Sequence, residues 1–591
     1  MLLRAFVDEL VRCGMTDACT SPGSRCAPIV LALARDGRLR CHSHVDERAA
    51  GFFALGAAKA GGRPLAVACT SGTAAAELLP AVVEAFEARV PMLVLSADRP
   101  PELRAVGAGQ TIDQIKLYGD AAKWFFEVGT HDCSPARLRW MRTLACRAWA
   151  LSLEGRPGVV HLNFALREPL VVDGPLGEDL SGRPGGAPFV RRAVARAGGA
   201  DAAAKVLALV EGVGGPDGAR GLVVAGREER ERDLGSVCDE LCRAFGWPLL
   251  ADPLSGARRG PAAIAHYDAL LRDEGFAALQ SPEIVLRVGD LPPSKPLRTW
   301  LAGLEGVPQV ALDPDGAWQD PDALLTESLP FAAAATLHAL VELTAATPAT
   351  PPAAPAEWLA GWRHADAQAA AAIAGVLDGE GVDGAVSEPW VAAELARLLP
   401  ASATLFVASS MPVRDVETFW PVLDRPPRVL CNRAANGIDG TVSSALGAAA
   451  VTAVADGPLV LLIGDVALAH DIGGLVASGR LGVAVTIVLL NNEGGGIFDF
   501  LPVAASPMAR EPDVYTEHVL TPTGLDFSLA AGLAGAAYER VGDRAGFRAA
   551  LGRALAEPRT AVVEVGTVRS ENVALHRRIW ETVAGAVRAG G

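Results

Sequence analysis

No stretch of this 591-residue chain approaches the roughly 18 uninterrupted apolar residues that a membrane span requires, so membrane insertion is not expected. Basic residues are too few to balance acidic ones, 53 against 68. The formal charge of −15 argues against nucleic acid or an anionic membrane as partner, and any anionic substrate must be captured by a local basic cluster. Met1–Leu10 is broken by Arg4, Asp8 and Glu9 and lacks the apolar core of a signal peptide, so a cytoplasmic protein is expected. Cysteine is sparse and scattered. Cys238 and Cys242 stand one helical turn apart in an apolar pattern, which reads as reduced core cysteine and not as a disulfide framework. His42 and His44 have no cysteine or carboxylate pair at ligand spacing, and zinc is not expected there.

What is abundant is apolar sequence. Half the residues are hydrophobic and only 20% charged, enough to fill several cores. Two stretches rich in Gly, Pro and Ala, Val172–Pro188 and Ala345–Ala356, divide the chain, predicting domains at 1–175, 190–344 and 357–591. The fold class expected is α/β, with three domains of mainly parallel sheet flanked by helices.

The residues from Leu459 to Leu501 organise the rest. An apolar run stops at Gly464-Asp465, and a second, Val483–Leu490, stops at Asn491-Asn492. Both read as buried parallel strands. Ala467, Leu468, Ile472, Leu475 and Val476 predict one short helix between them. A right-handed β-α-β crossover then brings Asp465 and Asn492 to the same carboxyl edge, where a carboxylate and an amide oxygen can share one cation. Amides following Asp465 can donate to an anion beside it.

In the first piece, strand-like runs at Asp17–Thr20, Leu39–His44, Leu65–Cys69 and Met92–Leu95 each lead into small, polar or charged residues: Ser21–Arg25, Asp46–Arg48, Thr70–Thr73 and Ala97–Pro100. Each is predicted to enter a helix, so one sheet edge gathers these groups. Judged alone, Glu47 reads as an acid in a first helical turn, complementing the dipole. In the middle piece, Gly221–Ala225, Ile284–Val288 and Val307–Leu312 alternate with helical runs. The pattern is Rossmann-like, but no G-x-G-x-x-G accompanies it. Lys295 follows the second of these strands. The third piece repeats the first: Thr404–Val407 leads into Ser409–Arg414, and Val429–Cys431 into Asn432-Arg433. Arg25, Arg99, Arg414 and Arg433 thus stand at ligand-facing edges, and guanidinium groups bind carboxylates bidentately, which suits substrates carrying several.

The Gly464-Asp465 pair and the Asn491-Asn492 pair, with Asn492 27 positions after Asp465, resemble the diphosphate-and-metal motif of thiamine-diphosphate enzymes. Ser21–Arg25, Asp46–Arg48, Ala97–Leu103, Gly107–Gln110, Asn432-Arg433 and the Asn491–Phe498 run narrow the likeness to the 2-succinyl-5-enolpyruvyl-6-hydroxy-3-cyclohexene-1-carboxylate (SEPHCHC) synthase family of menaquinone biosynthesis. That resemblance implies a transferase that decarboxylates 2-oxoglutarate and adds the succinyl unit to isochorismate by conjugate addition. It further implies a magnesium or manganese ion on Asp465, Asn492 and the Gly494 carbonyl, with Gly464 beside the diphosphate. Glu47 is implied as the acid that activates the aminopyrimidine, its pKa raised by burial, and Ile438 as the wedge beneath the cofactor. Isochorismate would meet Ser24, Arg25, Arg99, Gln110 and Lys295. The succinyl carboxylate would meet Ser410, Arg414 and Arg433, between Ile497 and Leu501 as apolar walls. Two subunits share each site in this superfamily, so a homodimer or homotetramer is implied. Val466, Ala434–Asn436 and Pro296 depart from the family pattern. A carboligase of the acetolactate type is the alternative. A simple 2-oxo-acid decarboxylase would carry paired histidines, and here no two histidines are adjacent.

Overall fold

The computed structural model describes residues 1–171, 179, 181–192, 199–214, 218–346, 354–379, 384–452, 457–507 and 512–590. Residues 172–178 and 180 of the first linker and the centre of Ala345–Ala356 therefore lie outside the described residues. The ends of the second stretch are helical, in Ala333–Ala346 and Ala356–Asp378.

Among the described residues, eighteen strands form three six-stranded sheets. The first holds β1 (Asp17–Thr20), β2 (Arg40–Ser43), β3 (Leu65–Cys69), β4 (Met92–Asp98), β5 (Trp124–Glu127) and β6 (Val159–Ala165), ordered β2-β1-β3-β4-β6-β5. The second holds β7 (Gly221–Ala225), β8 (Leu249–Ala251), β9 (Ala263–Ile264), β10 (Ile284–Val288), β11 (Gln309–Leu312) and β12 (Glu327–Leu329), ordered β12-β11-β10-β7-β8-β9. The third holds β13 (Thr404–Val407), β14 (Arg428–Cys431), β15 (Leu459–Gly464), β16 (Thr486–Asn491), β17 (Ala537–Val541) and β18 (Ala561–Gly566), ordered β14-β13-β15-β16-β18-β17. Every pairing of these strands is parallel. The first and third sheets share one topology, as the repeated strand-end pattern predicts, and the middle sheet has the strand order of a dinucleotide-type Rossmann fold.

The central strands are buried on both faces, which is why they read as unbroken apolar runs: Leu65–Cys69, Val460–Ile463 and Ile487–Leu490 are all buried. One continuous core joins the first and third domains, running from Phe52, Phe53 and Leu78 to Leu461, Ile463 and Leu489. Two helices, Glu47–Gly61 and Thr441–Val451, meet there backbone to backbone. A Cβ on Gly56 would stand 1.9 Å from the Ser444 carbonyl oxygen, and one on Gly447 1.9 Å from that of Phe53. Only glycine permits this approach.

Three expectations are corrected. The crossover between β15 and β16 contains two helices, Asp465–His470 and Ile472–Leu481. They part at Asp471, whose buried carboxylate accepts from the amide (2.7 Å) and hydroxyl (3.1 Å) of Ser443, and Val476 is left 38% exposed outside the apolar face. The apolar run from Val483 becomes strand only at Thr486. After β4, Pro100 and Pro101 permit just a 3₁₀ turn, Pro101–Leu103, and no α-helix follows before β5. No helix among the described residues is long and apolar enough to cross a membrane.

Candidate active site

β13 and β15 are neighbours although β14 lies between them in sequence, so the direction of sheet growth reverses there. The carboxyl ends of strands at such a switch point leave a crevice. In this chain it is a cavity of about 560 Å³. Ser409 and Ser410 enter it from the end of β13, Arg433 from β14, Gly464 and Asp465 from β15, and Asn492 and Gly494 from β16.

Asp465 and Asn492 meet as expected, because β15 and β16 pair directly with Gly464 opposite Leu490. The Gly494 amide donates to Asp465 Oδ2 over 2.8 Å, closing the two loops against each other. Gly494 has φ 137°, and a Cβ there would stand 2.7 Å from the Leu520 carbonyl oxygen, so the loop requires glycine. Burial pushes the Asp465 carboxyl up to about 6, against the opposing pull of the Gly494 and Val466 amides. Arg569 clamps the same loop from the far side, donating to the Asn492 carbonyl over 2.6 Å.

Asn492 is itself held. Its Nδ2 donates to Glu388 Oε1 over 2.9 Å, and its Oδ1 is buried without a partner. An unpartnered buried oxygen beside a buried carboxylate is what a hard divalent cation needs, so these residues fit magnesium on a diphosphate. Sequence reasoning misses Glu388. It starts the helix Glu388–Leu398, 104 positions before Asn492, with no local signal linking them. Burial, with Asp415 nearby, pushes its carboxyl up to about 7.

The cavity is cationic. Arg414 and Arg433 both line it, and Arg414 donates to the Ser410 carbonyl over 2.5 Å. Burial, then the neighbouring Arg433 charge, depresses the Arg414 pKa. Ser410 is held at φ 73°, a strained conformation for a residue with a side chain. Ile438 and Ile497 line the cavity, and so do Asn436, Phe498, His518 and Thr521, which sequence reasoning does not single out. Leu501 is 44% exposed and lies outside the lining.

A second cluster forms on the first domain. Arg99 donates to Ser71 Oγ (2.8 Å) and the Gly109 carbonyl (3.0 Å), while Gln110 Nε2 donates to the Ser71 carbonyl (3.0 Å). Arg25 is buried, bonded to the Leu166 carbonyl and to Glu168, with its Nε unpartnered. Burial and the Arg25 charge lower the Arg99 pKa, so the two guanidiniums face common ground. Ser24 is exposed on the same loop. Ser71 belongs to the predicted Thr70–Thr73 group, and Gln114 is an addition: it accepts from the Gly72 amide and donates to Asn163 and the Ala97 carbonyl, fixing the loop on which Ser71 and Gly72 sit. Lys295 is exposed at the start of the helix Lys295–Ala302 and lines neither the cavity above nor the smaller one beside it, to which the same turn sends Leu291, Pro292, Pro293 and Arg298.

Glu47 opens the helix Glu47–Gly61 behind Asp46, whose side chain caps the Ala49 amide. It is half-buried, and burial first, then Asp46 and Glu77, raise its pKa. Among the described residues, none of the first domain lines the cavity that holds Asp465.

Family models match this arrangement in order: the N-terminal thiamine pyrophosphate-binding domain of thiamine pyrophosphate enzymes over residues 2–117, their middle domain over 217–407, and their C-terminal thiamine pyrophosphate-binding domain over 415–565. Curated relatives named 2-succinyl-5-enolpyruvyl-6-hydroxy-3-cyclohexene-1-carboxylate synthase align from end to end. The relative from Geobacillus kaustophilus is 43% identical over 98% of this chain and 97% of its own. That from Geobacillus thermodenitrificans is 42% identical over 98% and 95%, and that from Chloroflexus aurantiacus 42% over 99% and 97%. The chain belongs to the SEPHCHC synthase family. SEPHCHC synthases are thiamine-diphosphate-dependent transferases, and the buried Asp465 and the unpartnered Asn492 oxygen both fall within the matched C-terminal thiamine pyrophosphate-binding domain.

Proposed function

We propose that this chain decarboxylates 2-oxoglutarate and adds the succinyl unit to isochorismate by 1,4-addition, forming SEPHCHC for menaquinone biosynthesis. The observation that carries the reading is the convergence of Arg414 and Arg433 on the cavity that contains Asp465 and Asn492. A pair of guanidiniums suits the distal carboxylate of a dicarboxylic 2-oxo acid, whereas pyruvate has no group for it, so the acetolactate-type alternative is not favoured.

Thiamine diphosphate, when bound, would supply the electron sink for loss of CO₂ and make the former carbonyl carbon of the 2-oxo acid a nucleophile towards the acceptor. The chain's own residues do the rest. Asp465, Asn492 and the Gly494 carbonyl hold magnesium or manganese, with Gly464 leaving room beside the diphosphate. Glu47, its pKa raised by burial, would hydrogen-bond the aminopyrimidine ring nitrogen. Ile438, which lines the cavity, would pack against the cofactor. Ser410, Arg414 and Arg433 seat the succinyl carboxylate, with Ile497 as an apolar wall. Ser24, Arg25, Arg99 and Gln110 seat isochorismate.

The assembly is a homodimer or a pair of dimers, with each site shared between two copies. Two features support this. Among the described residues, the cavity that holds Asp465 takes no lining from the Glu47 half of the same chain. Apolar side chains stand exposed beside the first half, Val45 at 69% and Val106 at 68%, and on the helix Phe527–Ala534, Leu529 at 73% and Leu533 at 74%. The partition into 1–175, 190–344 and 357–591 and a cytoplasmic location belong to the same reading.

The test is isochorismate-dependent consumption of 2-oxoglutarate by the purified protein with magnesium and thiamine diphosphate, with one CO₂ released per product. Consumption of pyruvate in preference to 2-oxoglutarate overturns the proposal.

A further inference from the structure

Asn492 can present either end of its amide to the cavity, and nothing in its own strand decides which. The decision is made by Glu388. Its Oε1 accepts two hydrogen bonds, from Asn492 Nδ2 at 2.9 Å and from Thr567 Oγ1 at 2.9 Å, and the residue is 1% exposed. Thr567 follows β18, which pairs with β16 in a register that sets Asn491 opposite Gly566, so the Thr567 hydroxyl and Asn492 reach Glu388 from adjacent strand ends. With an acceptor on one side, the amide nitrogen turns towards Glu388 and Oδ1 turns away, buried and unpartnered, and Asn492 lines the cavity that Asp465 also lines. A glutamine or leucine at 388 would have the volume to fill this space. A carboxylate buried this deeply is costly to desolvate, and orienting a partner is the return the geometry shows.

We propose that Glu388 is a positioning residue for the metal site: together with Thr567 it locks the Asn492 amide so that Oδ1 faces the cation. The proposal rests on the assignment of Asp465 and Asn492 as ligands. Outer partners of metal ligands typically change affinity by roughly ten- to hundredfold when removed.

The experiment is calorimetric titration of the full-length protein with thiamine diphosphate and magnesium. Glu388→Ala is expected to weaken magnesium-dependent binding by about ten- to hundredfold. The decisive pair is Asn492→Asp, alone and combined with Glu388→Gln. Alone, the new carboxylate meets Glu388 oxygen to oxygen and binding weakens. In the double variant the glutamine amide donates to one oxygen of the new carboxylate and leaves the other facing the metal. Binding then returns to at least about tenfold tighter than in Asn492→Asp alone. Both substitutions of this pair keep side-chain size, so they carry the test if Glu388→Ala fails to fold, and a merely structural role predicts no such rescue. Wild-type affinity in Glu388→Ala, or no recovery in the double variant, while Asp465→Ala loses binding, overturns the positioning role and leaves the ligand assignment standing. Wild-type affinity in Asp465→Ala as well overturns the assignment itself.

Discussion

The amide of Gly494 donates to Asp465 Oδ2 across 2.8 Å, so the loops that end β15 and β16 are fastened to each other before any cation arrives. Asp465→Ala removes both that fastening and an anionic ligand. Its affinity for magnesium and thiamine diphosphate is expected to fall by more than about a hundredfold, because a direct ligand counts for more than an outer partner. The apoprotein should keep its circular dichroism spectrum, since Asp465 follows a strand end and fills no apolar core. Calorimetry and circular dichroism on one preparation check both halves.

Glu47→Gln separates cofactor binding from activation. Glutamine keeps the shape but cannot donate a proton as an acid, so cofactor affinity should stay within a few-fold of wild type. Exchange of the cofactor's thiazolium carbon-bound hydrogen for deuterium, followed by NMR after acid quench, is expected to slow by about 10²–10⁴-fold.

On the proposed roles, the two arginine pairs divide the substrates. Loss of one charge-assisted carboxylate contact removes about 1.5–3 kcal/mol, roughly a ten- to hundredfold effect. Arg414→Ala should raise the KM for 2-oxoglutarate by that factor and leave the KM for isochorismate nearly unchanged. Arg25→Ala should do the reverse. Steady-state kinetics with each substrate varied in turn is the check.

Acid should weaken the first domain through a buried histidine. Burial, reinforced by the charges of His42 and Arg480, lowers the His44 pKa from 6.5 to about 4, and both of its ring nitrogens are buried without partners. The unfolded chain therefore takes up a proton that the folded one refuses. The folded state is favoured fully above pH 6.5, and this contribution is lost as pH falls from there towards 4. His44→Leu should remove it, so the stability difference between variant and wild type is expected to shift in the variant's favour by about 3 kcal/mol between pH 7 and pH 4, measured by urea unfolding.

Much of this architecture is legible in the sequence because buried parallel strands leave unbroken apolar runs that stop at polar pairs. Asp17–Thr20, Leu65–Cys69, Gly221–Ala225, Ile284–Val288 and Thr404–Val407 fall where those runs predict them. β6 is invisible by the same logic, since His161 and Asn163 interrupt it; both are buried, His161 bonded to Ser96 and Asn163 to Asp98 and Gln114. β5 and β17 lie at sheet edges, where half-buried residues mix types. Of the candidate site, the residues at strand ends can be read, because topology brings strand ends together. Glu388 and Gln114 cannot, because each enters through a side-chain bond between segments distant in sequence. Lys295 and Leu501 show the converse: position after a structured segment does not bring them to the cavity lining of this chain.

The central claim is that Glu47 of one copy and Asp465 of another serve a single site, and mixed assemblies test it most directly. Glu47→Gln and Asp465→Ala are each expected to be nearly inactive alone. Co-expressed in equal amounts with different affinity tags, they form mixed dimers in which one of the two sites combines an intact Glu47 with an intact Asp465. Purified through both tags, these dimers are expected to recover roughly half the wild-type rate of isochorismate-dependent 2-oxoglutarate consumption. Mixed dimers no more active than the two parent variants would contradict the shared site and place both residues' work within one chain.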